Sequence, residues 1–132
     1  MTSVPRSDEI VTKVSPRSVT DTVARFLGIA AEKRVKVFAT IDQREEAKRV
    51  GLELRETVLV VFGSPSTGTP VMSAHPLAAL DLPLKILIWA SAEETNVSYL
   101  SPDALATRYE LSEELARPLA AIEVLTDALV AR

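Results

Sequence analysis

The run TVLVVF at positions 57–62 is apolar after its first residue and rich in β-branched side chains, the composition of a β-strand. A strand this continuously apolar is expected to be covered on both faces and to lie centrally in its sheet. It passes directly into Gly63, Ser64, Pro65, Ser66, Thr67, Gly68, Thr69 and Pro70, and a second apolar run follows at Leu84–Ala90. The rest of the chain has to supply neighbours for these two strands and helices to cover them.

Ile10–Val14 reads as a first strand closed by Pro16. Val19, Val23, Phe26, Leu27 and Ala30 recur at helical spacing behind Ser18 and Asp21, which predicts a capped helix over 19–32. Val35–Ile41 alternates as a second strand. Asp42 and Glu45 open a short helix over 43–50, which Gly51 ends in a left-handed conformation. Leu84–Ala90 and Val97–Leu100 predict a hairpin turning at Glu93–Asn96, with Trp89 and Tyr99 able to pair across it. Ser101-Pro102 starts a helix to Tyr109; Ser112 starts a last segment with a stripe through Leu115, Leu119, Ile122, Leu125 and Leu129, where Pro118 marks a kink or the true helix start. The order β-α-β-α-β-loop-β-β-α-α predicts an α+β (mixed α/β) fold. It forms a single domain over 1–132, with a mixed sheet of about five strands and helices mainly on one face. Residues 1–8 are expected to be flexible.

At 132 residues, 47% apolar and 25% charged, the chain is one globular unit. A net charge of −3 provides no basic footprint for nucleic acid or anionic lipid, so neither is expected as a partner. The absence of cysteine excludes disulfides, thiolate nucleophiles and cysteine-based metal sites. Val58–Phe62 and Ile86–Ala90 are too short to span a bilayer, and Met1–Asp8 lacks a signal-peptide core, so a cytoplasmic location is expected. No cofactor and no metal is expected.

Gly63 and Gly68 stand at the spacing of the two glycines of a phosphate-binding G-x-x-x-x-G-K-[ST] loop. Thr69 then replaces the lysine and Pro70 the magnesium-binding hydroxyl, which removes nucleotide triphosphatase chemistry. Two readings remain for Gly63, Ser64, Ser66, Thr67, Gly68 and Thr69. One is a cradle of amides and hydroxyls for a carboxylate or phosphate. The other is a strand-to-helix turn in which Thr69 caps a helix and Pro70 is its first residue. His75, the only histidine, is either a cap or surface residue or a ligand group. Asp81 either accepts amides of the glycine loop or frames a small polar ligand together with Lys85.

"FATID", "TVLVVFGSPSTGTPVM", "ALDLPLKILIW" and "VSYLSPDALATRYEL" resemble the bacterial and archaeal proteins of domain of unknown function family 302, over Val35 to Leu111. The resemblance implies a small α/β domain, usually dimeric, without an established activity. Its signature falls on Ile41, Asp42, Phe62, Gly63, Pro65, Gly68, Thr69, Met72, Asp81, Leu82, Pro83, Lys85, Trp89 and Tyr99. Gln43 and Ser64 depart from the histidine and asparagine frequent at those places in the family, so any role of that histidine is lost here.

Three functions are compatible with these residues. The first is a cytoplasmic homodimer that binds a small polar or anionic ligand near Gly63–Thr69 and Asp81–Lys85 without catalysis. The second is an enzyme using Asp42, His75, Asp81 or Tyr99 as acid or base. The third is a structural or protein-interaction module.

Overall fold

The computed structural model describes residues 9–132; the flexibility expected of residues 1–8 lies outside the described residues. The strands are β1 (Ile10–Ser15), β2 (Lys36–Asp42), β3 (Thr57–Gly63), β4 (Leu84–Ser91) and β5 (Glu94–Leu100). The helices are α1 (Val19–Glu32), α2 (Gln43–Arg49), α3 (Pro65–Ala74), α4 (Pro102–Arg108), α5 (Glu113–Ala116) and α6 (Ala121–Val130). Short 3₁₀ turns at Pro76–Leu80 and Arg117–Ala120 complete the set. The result is an α+β domain with the strand order β1-β5-β4-β3-β2.

The expected mixed sheet is corrected: every strand pair is antiparallel. β2 to β5 form a meander, and α1 carries the chain from β1 at one edge to β2 at the other. That crossover joins strands that are not neighbours, so it creates no parallel pair.

β3 is interior, between β2 and β4, but the expectation that it is covered on both faces fails. Val58, Val60 and Phe62 are buried while Leu59 and Val61 are only half-buried. The cause is the placement of the helices. α1 and α6 lie on one face, where Phe26 meets Phe62 edge to face at 4.9 Å and Leu125 and Leu129 join Ile86, Ile88 and Val97 in the core. Full burial of each such side chain is worth about 1.5–3 kcal/mol. Among the described residues no helix is laid across the opposite face, with Leu59, Val61, Leu87 and Trp89.

The helix starts follow the sequence closely. The Asp21 amide donates to Ser18 Oγ at 3.0 Å, and the Glu45 amide donates to Asp42 Oδ1 at 3.0 Å. Gly51 takes φ 77°, which ends α2 as expected. Pro118 falls in the 3₁₀ turn, so α6 starts only at Ala121.

The segment expected as an irregular loop is a helix. Ser-Pro at 64–65 and Thr-Pro at 69–70 are rival starts, and the first takes effect because the chain leaves β3 at Gly63. Pro65 is therefore the first helical residue and Pro70 lies inside α3, where it cannot donate to the carbonyl four residues back. Thr69 is not a cap.

The hairpin turn is also shorter than expected. Ala92 adopts φ 46°, the ladder begins at Ser91 opposite Glu94, and Glu94–Asn96 belong to β5. This register puts Trp89 opposite Asn96, on the face away from the helices, and Tyr99 on the helix face, so the two aromatics do not pair.

Candidate ligand-binding site

β4 and β5 are paired over only part of their lengths. Their ladder runs from Ser91 opposite Glu94 to Leu87 opposite Ser98 and stops there. β4 continues on its other side, paired with β3 to Leu84, and β5 continues on its other side, paired with β1 to Leu100. Two interior strands held by their outer neighbours, but not by each other, leave a slot between Leu84–Ile86 and Tyr99–Leu100.

A cavity of about 250 Å³ occupies this place. The position explains why its walls come from both faces of the sheet. Leu59, Leu87 and Leu100 contribute from the open face, whereas Leu84 and Tyr99 belong to the helix face, and Leu105 of α4 and Ile122 of α6 contribute from beyond the sheet. Ile10, Ser98, Asp81 and Lys85 complete the lining, which is predominantly apolar. Ser98 is part of a polar strip, since Trp89 Nε1 donates to its Oγ at 2.9 Å and Thr12 Oγ1 lies 2.8 Å from it.

The mouth carries a clasp. Arg108 Nη1 donates to Asp81 Oδ2 at 2.9 Å, and Arg108 Nη2 lies 3.5 Å from Glu9 Oε2. Tyr109 also donates its hydroxyl to Asp81. Asp81 precedes β4 and Glu9 precedes β1, so a single guanidinium on α4 joins the two sides of the slot. Burial raises the Asp81 pKa, but hydrogen bonds from Tyr109 and Arg108, with the nearby positive charge of Lys85, outweigh it and hold the carboxyl below its usual range. The bond to Asp81 raises the Tyr109 pKa. Asp81 thus accepts from α4 and its end, in place of the glycine-loop amides expected from the sequence.

Of the residues singled out in the sequence, Asp81, Lys85 and Tyr99 meet at this cavity. Lys85 is exposed at its rim. Tyr99 is 4% exposed and donates its hydroxyl to Glu123 of α6. Burial and that bond raise the Tyr99 pKa. Lys13 stands 5.3 Å above the Tyr99 ring and donates to Thr126 Oγ1 at 2.7 Å and Asp127 Oδ1 at 2.8 Å.

The others lie elsewhere. Gly63, Ser64, Ser66, Thr67, Gly68 and Thr69 form the exit of β3 and the first turns of α3, where the Ser64 and Ser66 hydroxyls face each other at 2.8 Å and the Thr67 and Gly68 amides both donate to the Ser64 carbonyl. A Cβ on Gly68 would meet only Met72 Cε at 3.7 Å, so protein packing does not require a glycine there. His75 sits between α3 and the following 3₁₀ turn, its amide bonded to the Val71 carbonyl at 2.8 Å. Asp42 caps α2 and pairs with Val58, at the end of β3 away from Gly63 and about 17 Å along the strand from it. Among the described residues no cluster of three His, Cys, Asp or Glu side chains could hold a metal ion.

Sequence reasoning missed Ile10, Leu59, Leu87, Ser98, Leu100 and Leu105 as wall residues, and Arg108 and Tyr109 as the clasp. Their apolar or helix-end character carries no chemical signature. Only the unequal strand pairing, a tertiary property, makes them a site.

An antiparallel five-stranded sheet with helices on one face defines a class of small two-layer α+β domains. A crystal structure of an uncharacterized conserved DUF302 protein from Bacillus stearothermophilus shares this fold with a TM-score of 0.78, at 18% identity, covering 92% of this chain and 95% of that one. The model of the domain of unknown function DUF302 matches residues 11–129, and the chain belongs to that family. The match extends beyond the 35–111 segment at both ends.

Curated relatives include the fluoride-specific ion channel FluC 1 of Brucella suis biovar 1 (strain 1330), 34% identical over 103 residues, covering 77% of this chain and 41% of that protein. FluC 2 of Brucella melitensis biotype 1 is also 34% identical over 103 residues, covering 77% of this chain and 38% of that protein. The chain spans about two fifths of the length of the curated relatives it matches. None of its described helices is long and apolar enough to cross a membrane.

Proposed function

We propose that this domain is a non-catalytic homodimeric binding module that takes a small molecule in the slot between β4 and β5. The observation that carries the reading is the ladder that stops at Leu87 and Ser98 while both strands continue. In an otherwise continuously paired sheet, a gap of this kind brings apolar side chains and strand backbone to one opening. Ligand crevices commonly form where neighbouring strands part.

A non-catalytic role is supported by the titrating groups at the slot. Asp81 is held below the ordinary carboxylate range and Tyr99 above the ordinary tyrosine range. Both shifts lead away from neutral pH, where a general acid or base works best. His75 and Asp42 stand outside the slot. Ion conduction, which the curated relatives' names state for those proteins, does not enter this reading, because most of their length lies outside the match.

Self-association is supported by the open sheet face, which presents Leu59, Val61, Leu87 and Trp89 as half-buried residues flanked by the exposed Ile10 and Val14. A five-stranded face is about 24 Å wide, and a second copy laid on it about 10 Å away would form a two-sheet sandwich with the helices outside. Native mass spectrometry of the gently purified protein tests both parts. A dimer retaining a reproducible small mass supports the reading. A monomer refutes the pairing, and an apo protein that takes up no small molecule refutes the slot's role.

A further inference from the structure

Resting on the slot as the binding site, the geometry points to its ligand class: a neutral, mainly apolar molecule of about ten non-hydrogen atoms with one hydrogen-bonding group, rather than the anion suggested by the glycines and hydroxyls of 63–69.

Size follows from volume. An enclosed cavity of about 150 Å³ takes benzene, and this half-open pocket of about 250 Å³ has room for a molecule nearer to two fused rings. Apolar character follows from the walls, where Ile10, Leu59, Leu84, Leu87 and Leu100 surround the space. An ionised group buried among these five side chains would lose hydration that they cannot replace.

The charges at the mouth do not alter this. Arg108 is shared between Asp81 and Glu9, so this cation is already engaged by two carboxylates. Lys85, the other cation there, is exposed at the rim, and its positive charge acts on Asp81. The two acids Asp81 and Glu9 and the two bases Arg108 and Lys85 balance in formal charge, so the mouth carries no excess positive charge to draw an anion inward.

The polar group has a reason of its own. In an antiparallel ladder backbone groups alternate sides, and the Ala90 amide bonded to Glu56 and the Ser101 amide bonded to Glu9 turn the backbone of Ile86 to β3 and of Tyr99 to β1. Lys85 and Leu100 are therefore the residues whose backbone groups face across the slot without a ladder, although buried strand backbone ordinarily bonds to a neighbour. A hydroxyl, amide or indole N–H entering between them meets backbone groups that β4 and β5 do not offer each other.

The test is an amide-resolved NMR titration of the 132-residue protein with 2-naphthol, 2-naphthoate and inorganic phosphate. The expected result is saturable shifts at residues 84–87 and 98–100 with 2-naphthol, at least about tenfold tighter than with 2-naphthoate. Phosphate is expected to give none. Lys85→Met should leave 2-naphthol affinity within about twofold, because the ligand carries no charge to pair. Leu100→Trp should abolish the shifts by filling the slot, and Leu87→Phe is a milder filling variant should the first fail to fold.

Tighter binding of 2-naphthoate or phosphate, lost in Lys85→Met, would overturn the ligand class and leave the slot as a site. Shifts centred on Val61 and Trp89 would relocate binding to the open face and overturn the inference. No saturable shift with any probe would remove both the inference and the binding function it rests on.

Discussion

Two clusters in this domain use the same chemistry, a tyrosine hydroxyl on a carboxylate with a cation beside it. Tyr99, Glu123 and Lys13 tie β5 and β1 to α6, and Tyr109, Asp81 and Arg108 tie α4 to the strand start at the slot. The difference is burial. It lies in the ring and the cation and not in the carboxylate: the Tyr99 ring belongs to the core and the Lys13 side chain is 18% exposed against 40% for Arg108, whereas Glu123 is 41% exposed against 22% for Asp81. Equal chemistry therefore has unequal energetic weight. The first cluster fixes the helix layer on the sheet. The second is a surface clasp whose effect is local, holding the two sides of a split that the strands do not close.

The largest effect separating them comes from removing each ring. Tyr99→Ala should destabilise the domain by about 3–5 kcal/mol, as truncating a buried aromatic does. Tyr109→Ala, at a half-buried position beside Leu105 and Leu119, should cost about half as much or less. Urea denaturation at constant m-value measures both. Equal losses would mean that the satellite cluster under α4 is as important to the fold as the main core.

Removing only the hydroxyls sharpens the contrast. Tyr99→Phe deletes the bond from a buried phenol to Glu123, whose side chain is 41% exposed, and should cost about 1.5 kcal/mol. Tyr109→Phe leaves Asp81 with Arg108 and water and should cost less than about 1 kcal/mol. A Tyr109→Phe loss as large as that of Tyr99→Phe would show the clasp to be a folding element.

Arg108→Gln addresses the clasp directly. Global stability should change by less than about 1 kcal/mol, the usual range for an exposed ion pair. Hydrogen exchange should nevertheless accelerate at Lys85 and Leu100, with Val60 and Ile88 unchanged, because the clasp acts on the split and not on the sheet as a whole. Uniform acceleration would indicate general destabilisation instead, and no acceleration would remove the clasp's role.

The two clusters also show what a sequence carries. Local signals were legible. Ser18 before Asp21, Asp42 before Glu45, and Ser101 before Pro102 each marked a helix start that the structure contains, because caps depend on residues three apart. The strands were legible from their apolar runs. What failed depended on partners distant in the chain. The apolar residues of β3 implied two covered faces, yet coverage depends on where α1 and α6 lie. The choice between Ser64 and Thr69 as helix start depended on where β3 ends.

The site was legible at Asp81 and Lys85, whose segment looked unusual, but the meaning of Asp81 lay in Arg108 and Tyr109, which are 27 and 28 residues further on. The glycines and hydroxyls of 63–69 drew attention as a ligand loop because their composition suits both anion binding and helix starts. Composition alone does not separate the two. Five of the eleven wall residues are ordinary leucines, set apart only by the strand that fails to pair beside them.

The smallest effect is the dependence on pH, and it has opposite signs in the two clusters. At the clasp, burial disfavours the Asp81 carboxylate, but Tyr109 and Arg108 prevail and its folded pKa is lowered. Its contribution is therefore present above the unfolded value of about 3.9 and is lost as pH falls through the lower folded value. At the core cluster, burial disfavours the Lys13 ammonium, but bonds to Asp127 and Tyr99 prevail and its folded pKa is raised. Tyr99 is also raised, by burial and by its bond to Glu123. Both contributions are full below their unfolded values of about 10 and are lost as pH rises through the folded ones. Below about pH 4, exchange normalised to intrinsic rates should rise first at the slot amides. Above about pH 10, melting temperature should fall, and more steeply in the wild type than in Lys13→Met, which has already lost the titrating ammonium. Acid opening that begins across α6 and β1, or alkaline loosening confined to the slot, would reverse the assignment of the two clusters.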